Sequence, residues 1–122
     1  MSESISFGKE TKLGDLLKCE EEAKVVLIWG KHCSSCKPYQ QLLREAKKRG
    51  YIKAKLVEVE IPMDMEVIQQ ALKEGIENIP EIYISCRDEK AKKCIVKKVD
   101  LSWNLEKDVE KLKKEFEKYG II

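Results

Sequence analysis

The sequence has no long apolar run, no large excess of charge of either sign and only one histidine. No apolar segment approaches the roughly 18 residues that a membrane-spanning helix requires, so we predict that the protein does not enter membranes. The 24 basic and 22 acidic residues leave a net charge of +2, which argues against a dedicated nucleic-acid-binding protein, because such proteins carry a one-signed basic patch. The first residues contain neither the basic segment nor the apolar segment of a signal peptide, so we expect a cytoplasmic protein.

Length and composition favour one domain spanning residues 1–122, large enough for a sheet covered by helices. The charged residues are mostly Lys and Glu, and Asn and Gln are scarce, which is a bias of proteins from very hot environments. Five cysteines in an intracellular chain indicate redox or metal chemistry, and intracellular disulfides are frequent in organisms from hot environments.

The most informative stretch runs from residue 24 to residue 37. Five consecutive apolar residues (25–29) predict a strand buried on both faces, and the pattern of a helix from about residue 34 to residue 49 follows. Between them stands Cys33-Ser34-Ser35-Cys36. The unpaired N–H groups of a first helical turn stabilise a thiolate, and the spacing lets the second sulfur reach the first. The pattern therefore predicts a reversible disulfide, with Cys33 as the nucleophile and Cys36 as the resolving thiol.

The rest of the chain alternates between strand and helix patterns. We predict a strand at 4–7, a helix from about residue 11, a strand within 51–61 and a helix at 65–74 that begins at Asp64. A hairpin of strands starting at Pro80 and Cys94 and a last helix from about Asn104 complete the order. In the 65–74 helix we expect Met65, Ile68, Ala71 and Leu72 to face inward.

With these motifs, nearly the whole chain resembles the thioredoxin superfamily. The residues that carry the resemblance are the apolar strand 25–29, Cys33 and Cys36, Lys37, and Ile79-Pro80 at the start of a later strand. The resemblance implies an α/β thioredoxin-like fold: a mixed central sheet with helices on both faces, ending in an antiparallel hairpin and a helix.

The resemblance also assigns roles to residues around the cysteine pair. It implies that the Ile79–Pro80 bond is cis, that Pro80 faces the disulfide and keeps metal ions away from the thiols, and that Ile79 offers its backbone to a partner peptide. Trp29 and His32 are further candidate substrate-binding residues, and His32 stands where the thioredoxin pattern commonly has an aromatic side chain. For His32, which precedes the nucleophile, a solvated surface ring is the alternative interpretation.

Positive charge surrounds the cysteine pair in the sequence. Lys31, His32 and Lys37 would each favour a thiolate at Cys33, although lysines are common throughout this chain.

Three features of the sequence depart from the thioredoxin pattern. Leu27 stands where thioredoxins often bury an acid, and Glu58 on a neighbouring strand is a possible substitute. Ser34-Ser35 separates the cysteines, which affects the redox potential, and Asp100 stands where a glycine often follows the last strand.

Cys86 and Cys94 form a second candidate pair. Adjacent strands can place them opposite each other, so we predict a structural disulfide between Cys86 and Cys94, with two reduced thiols, a second redox pair or a metal site as alternatives. We expect Cys19, without a cysteine nearby in sequence, to be a partly buried residue of the first helix.

These residues predict a thiol–disulfide oxidoreductase that acts on protein disulfides. The resemblance implies recycling by an electron donor such as a thioredoxin reductase. The sequence has no nucleotide-binding glycine motif, so we expect no bound cofactor. Three alternatives stay open: a redox-inactive protein-binding module, glutaredoxin-like use of glutathione, and a metal site formed by Cys33, Cys36, Cys86 and Cys94.

Overall fold

The computed structural model describes residues 2–122, in which a single five-stranded sheet is covered by helices on both faces. The elements in chain order are β1 (Ser2–Ser6), α1 (Leu13–Leu16), β2 (Lys24–Trp29), α2 (Cys36–Lys48), β3 (Lys55–Glu60), α3 (Met65–Lys73), β4 (Glu81–Asp88), β5 (Lys93–Val99) and α4 (Leu105–Lys118). This order confirms the predicted α/β fold.

The sheet is mixed, with the strand order β1-β3-β2-β4-β5. Strands β1 and β2 both run parallel to β3, whereas β4 runs antiparallel to β2 and β5 antiparallel to β4. Since β2 lies in the middle of the sheet and is apolar on both faces, it is buried along most of its length, as its uninterrupted apolar run predicts.

Each face of the sheet has its own apolar core. The first face packs against α2 and α4, through residues that include Leu27, Leu43, Ile82 and Phe116. The second face packs against α1 and α3, through residues that include Phe7, Val26, Val59, Val67 and Tyr83. The alternation of side chains along each strand decides which core a residue joins.

Helix α1 is much shorter than predicted. It is a single turn from Leu13 to Leu16, with no side-chain cap at its start, and residues 18–23, which connect it to β2, are not helical. So short a helix depends on tertiary contacts because an isolated turn is unfavourable. Cys19 therefore lies outside the helix in which we expected it.

Helix α3 begins at Met65 as predicted and ends at Lys73, one residue earlier than predicted, but its buried face is different. The Asp64 carboxylate accepts hydrogen bonds from the backbone N–H groups of Glu66 and Val67. The expectation that Met65 and Leu72 face inward was wrong: their side chains are 70% and 56% exposed. Leu72 lines the groove described below.

No helix in residues 2–122 is both long and apolar enough to cross a lipid bilayer.

Candidate active site

Cys33 and Cys36 lie where the central strand β2 gives way to helix α2. The turn is held by backbone hydrogen bonds from Cys33 N to Gly30 O, at 3.1 Å, and from Cys36 N to Cys33 O, at 3.2 Å. The helix begins at Cys36, two residues later than predicted. A side chain at Gly30 would lie 3.1 Å from the Ile79 side chain, so the glycine permits this close approach.

The two sulfurs are joined as a disulfide, with Cα atoms 5.3 Å apart. Their environments differ: Cys36 is completely buried, whereas Cys33 is half-buried and borders a surface groove. The Ser35 hydroxyl lies 3.4 Å from Cys33 Sγ, close enough to donate a hydrogen bond to it. A partner can therefore approach the Cys33 sulfur far more easily than the Cys36 sulfur.

The segment containing Ile79 and Pro80 lies against Cys33. The Ile79–Pro80 bond is cis, as the resemblance implies. The carbonyl oxygen of Ile79 lies 3.8 Å from Cys33 Sγ. Pro80 is buried and Ile79 is half-buried. The backbone at Ile79 thus borders the accessible sulfur, which is where a partner chain would need to lie to exchange a disulfide with Cys33.

The cationic side chains around the pair are solvent-exposed. His32, Lys31 and Lys37 are all exposed, and Lys31 Nζ lies 3.9 Å from the carboxylate of Glu60. Trp29 is half-buried and packs against the first core, so most of its ring is unavailable to a partner.

An apolar groove of about 410 Å³ opens beside Cys33, on the α3 side of the disulfide. We call it the α3 groove. Its walls come from the turn after β2, the loop after β3, helix α3 and the segment before Pro80; they include Ile61, Pro62, Met63, Leu72 and Ile79. Met63 is 76% exposed at its rim. Most of the groove surface is carbon, which suits apolar side chains.

A buried carboxylate lies beneath helix α2, and it belongs to Glu58. In the sheet, Glu58 lies opposite Leu27 of β2. Glu58 is 4% exposed, and its oxygens accept hydrogen bonds from Gln40 at 2.8 Å and from Arg44 at 2.7 Å. Burial alone would raise the pKa of Glu58, but these hydrogen bonds outweigh burial and lower it. Glu58 is therefore an ionised partner of Arg44.

The predicted Cys86–Cys94 disulfide was wrong. Cys94 is bonded to Cys19, with Cα atoms 5.6 Å apart, and Cys86 is a free, buried thiol. In the hairpin Cys86 lies opposite Ile95, and Cys94 lies opposite Arg87. Cys86 joins the first core, whereas Cys19 Sγ lies 3.6 Å from the hydroxyl of Ser85, the neighbouring residue on β4. Because successive side chains of a strand point to opposite faces, Cys86 and the disulfide are separated by the sheet.

This arrangement also separates the sulfurs of the hypothetical metal site. Within residues 2–122, no three His, Cys, Asp or Glu side chains are close enough together to hold a metal ion. Burial, and to a smaller extent the Asp88 carboxylate, raise the pKa of the Cys86 thiol, so this sulfur is a poor nucleophile.

A hydrogen-bonded network around Asp108 was missed by sequence reasoning. Asp108 lies in the first turn of α4 and is completely buried. It accepts hydrogen bonds from the Tyr39 hydroxyl, from the backbone and hydroxyl of Ser102, both at 2.8 Å, and from the backbone of Trp103 at 3.1 Å. In a chain that is 38% charged, nothing marks this one aspartate as buried. The network ties α4 to α2, one turn after Cys36.

No family model matches this sequence, and no curated protein matches it either. Solved structures do. The Trx4 domain of ERdj5 is 16% identical with a TM-score of 0.58, and the match covers 94% of this chain and 96% of that one. A thioredoxin from Plasmodium falciparum is 18% identical with a TM-score of 0.56, covering 95% and 88% of the two chains.

Full-length ERdj5 also matches, at 14% identity and a TM-score of 0.53, over 93% of this chain and 16% of that one. The chain therefore spans only a small part of that larger protein. At such low identities the likeness concerns the fold.

Proposed function

Because the chain has the thioredoxin fold, with an accessible sulfur bonded to a buried one, we propose that it is a thiol–disulfide oxidoreductase acting on protein disulfides. The observation that carries the proposal is the unequal exposure of the two cysteines at the junction of β2 and α2. The fold alone supports a binding module equally well, whereas this asymmetry has a direct chemical use.

The exchange proceeds in two steps from the reduced protein. The Cys33 thiolate attacks one sulfur of the partner disulfide, a bond forms between Cys33 and that sulfur, and the other partner sulfur leaves as a thiolate that takes up a proton. The Cys36 thiolate then attacks Cys33 Sγ, and the second partner thiol is released. The partner gains two electrons and two protons, and the Cys33–Cys36 disulfide forms.

The local structure supports each role. Cys33 lies three residues before the first residue of α2, and the unpaired N–H groups at this helix start favour negative charge on the reduced Cys33 sulfur. Cys36 is shielded from solvent, so its natural target is Cys33 and not a second partner molecule. The Ile79 carbonyl next to Cys33 can accept a hydrogen bond from the backbone of a bound polypeptide.

Repeated turnover requires reduction of the Cys33–Cys36 disulfide by an external thiol donor. A thioredoxin reductase in the cytoplasm is our proposed donor, and glutathione is the competing one. Measuring turnover with each donor in parallel separates a thioredoxin-like protein from a glutaredoxin-like one.

The test of the proposed function is reduction of insulin by dithiothreitol, followed as turbidity. We expect the wild-type protein to accelerate it and Cys36→Ser to accumulate mixed disulfides through Cys33, detectable by mass. The matched control is Cys86→Ser, which changes a cysteine outside the reactive pair and should turn over like the wild type. A wild-type protein without activity, and without trapped partners in the Cys36→Ser variant, would contradict the proposed action on protein disulfides and favour the protein-binding alternative.

A further inference from the structure

The loop between β5 and α4 exposes an unusual tryptophan. Trp103 is 53% exposed and has a backbone φ of 66°, in the left-handed region that large side chains seldom adopt. Leu105, two residues later, is 40% exposed. Neither burial nor local backbone preference accounts for a tryptophan at this position.

The Asp108 network fixes this strained loop in place. The buried Asp108 carboxylate accepts hydrogen bonds from the backbone N–H groups of Ser102 and Trp103 and from the Tyr39 hydroxyl. Strained backbone persists where the surrounding contacts over-determine it, and such sites concentrate where proteins bind ligands. The tryptophan is thus presented on a rigid base joined to the helix that carries Cys36.

Two observations place Trp103 at the same edge of the sheet as the reactive disulfide. Tyr39 lies one turn after Cys36 on α2. Val99, the last residue of β5, lies opposite Ile82, which follows Pro80 by two residues. The loop from residue 100 to residue 104 therefore leaves the sheet next to the segment that borders Cys33.

The disulfide consequently lies between two apolar surfaces on opposite sides of the sheet. The α3 groove is on the side of the second core. Trp103 and Leu105 lie at the start of α4, the helix that packs on the first core. A small disulfide substrate, such as glutathione disulfide, is too short to touch both surfaces when it reacts at Cys33. An extended polypeptide that crosses Cys33 can contact both apolar surfaces, because successive side chains of an extended chain point to opposite sides.

We propose that Trp103 is a specificity-determining residue that binds a bulky apolar side chain of the partner polypeptide, next to the cysteine that Cys33 attacks. This inference rests on the proposed function and names its substrate class: extended segments with apolar residues flanking the target disulfide. Tryptophan is enriched among residues that dominate binding at interfaces, because its large rigid ring buries much area at little entropic cost.

The kinetic test compares three substrates with the wild type, Trp103→Ala and Trp103→Phe. The substrates are a peptide disulfide with Leu or Phe flanking the cysteine, the same peptide with Ser at those positions, and glutathione disulfide. We expect Trp103→Ala to lower kcat/KM about tenfold for the apolar peptide and less than about twofold for the other two. Trp103→Phe should restore most of the loss.

The matched control is Tyr51→Ala, which removes another exposed aromatic ring, 62% exposed, from the loop after α2. It should leave all three rates unchanged. An equal loss for glutathione disulfide and the apolar peptide in Trp103→Ala would show general damage to the site and overturn the inference. So would equal rates of the wild type and Trp103→Ala on the apolar peptide.

A second measurement does not depend on turnover. The chain has two tryptophans, so Trp29→Phe leaves Trp103 as the only one. In that background with Cys36→Ser, Cys33 can be joined chemically to each peptide by using a thionitrobenzoate-activated peptide cysteine. A blue shift of Trp103 emission with the apolar peptide and none with the Ser peptide supports the contact. Equal emission in both adducts overturns it, even where the protein proves to be a slow catalyst.

Discussion

The two disulfides lie at opposite ends of the same sheet and are built for different purposes. Cys33–Cys36 follows the end of β2 and joins residues three apart, whereas Cys19–Cys94 lies near the start of β2 and joins residues 75 apart. A cross-link between residues close in sequence removes little chain entropy, and one between distant residues removes much. The first pair is thus suited to exchange and the second to stability.

The two ends of the sheet are also held together by different kinds of contact. At the far end, a covalent bond holds the segment after α1 to the edge strand β5. At the reactive end, α2 is held to its neighbours by hydrogen bonds, through Tyr39 to Asp108 and through Arg44 to Glu58. These contacts do not involve sulfur, so the active site can be oxidised and reduced while its supporting helix stays in place.

The largest expected effect is on catalytic activity, which should depend on the Cys33–Cys36 pair and not on the Cys19–Cys94 pair. Cys33→Ser should abolish insulin reduction, a loss of about a thousandfold or more, because the attacking thiolate is gone. The double variant Cys19→Ser/Cys94→Ser should retain at least about half of the wild-type activity at temperatures where it is folded. If the double variant is folded but inactive, the second disulfide also takes part in exchange.

The next effect concerns stability. Replacing both Cys19 and Cys94 by Ala should lower the free energy of unfolding by about 4 kcal/mol, from the entropy of a 75-residue separation. Replacing Cys33 and Cys36 by Ala should cost less than half as much by the same relation. Denaturant unfolding of the oxidised proteins measures both values. Equal losses would contradict the assignment of a structural role to one pair only.

A smaller effect tests the hydrogen-bonded anchor of the reactive end. Asp108→Ala should cost about 2–3 kcal/mol, because it leaves the Tyr39 hydroxyl and the Ser102 N–H without their partner. Thermal unfolding at neutral pH measures the loss. Asp100→Ala, an exposed acid in the same loop, is the matched control and should change stability by less than about 0.5 kcal/mol.

The same aspartate gives a prediction for acidic pH. Burial alone would raise the pKa of Asp108, but hydrogen bonds from Tyr39, Ser102 and Trp103 outweigh it and lower the pKa. The stabilisation is present above the ordinary Asp pKa of about 4 and is lost as the pH falls through the lowered folded value. Asp108→Asn should therefore flatten the decline of stability below about pH 4. An unchanged pH profile would show that Asp108 contributes no pH-dependent stability.

The smallest effect tests the isolation of the free thiol. Cys86→Ala should cost about 1 kcal/mol, the packing of one buried sulfur. Peptide mapping should still find Cys19 joined to Cys94, since the sheet lies between Cys86 and that disulfide. A map of the wild type with Cys86 joined to either of them would contradict this separation.

The second disulfide shows where sequence reasoning fails. Cys86 and Cys94 lie on paired strands but are not opposite each other. Cys86 pairs with Ile95, and Cys94 pairs with Arg87, so the register is offset by one residue. A shift of one residue moves a side chain to the other face of a sheet, so a small error in the expected turn changed the pairing completely. The sequence pattern also predicted that α1 continues through Cys19. Because α1 ends at Leu16, Cys19 lies in the following loop and can bond to Cys94 on β5.

For a related reason, the sequence did not predict the burial of Asp108 and offered Glu58 only as a possible substitute for a buried acid. Glu58 alternates with apolar residues as a solvent-facing side chain would, and Asp108 resembles the exposed acids of a helix start. Both are buried because neighbouring helices supply hydrogen-bond partners: Arg44 and Gln40 from α2, and Tyr39 from the same helix. Such partners are distant in sequence, so no local pattern reveals them.

The sequence by itself determined the order of the elements, the buried central strand and the placement of Cys33 and Cys36 beside a helix start. These depend on local periodicity and on residues within a few positions of one another. Only the tertiary structure decided the partner of Cys94, the burial of Glu58 and Asp108, and the position of Trp103 beside the reactive edge. Each of these depends on strand register or on packing between distant segments, which are fixed only when the whole chain folds.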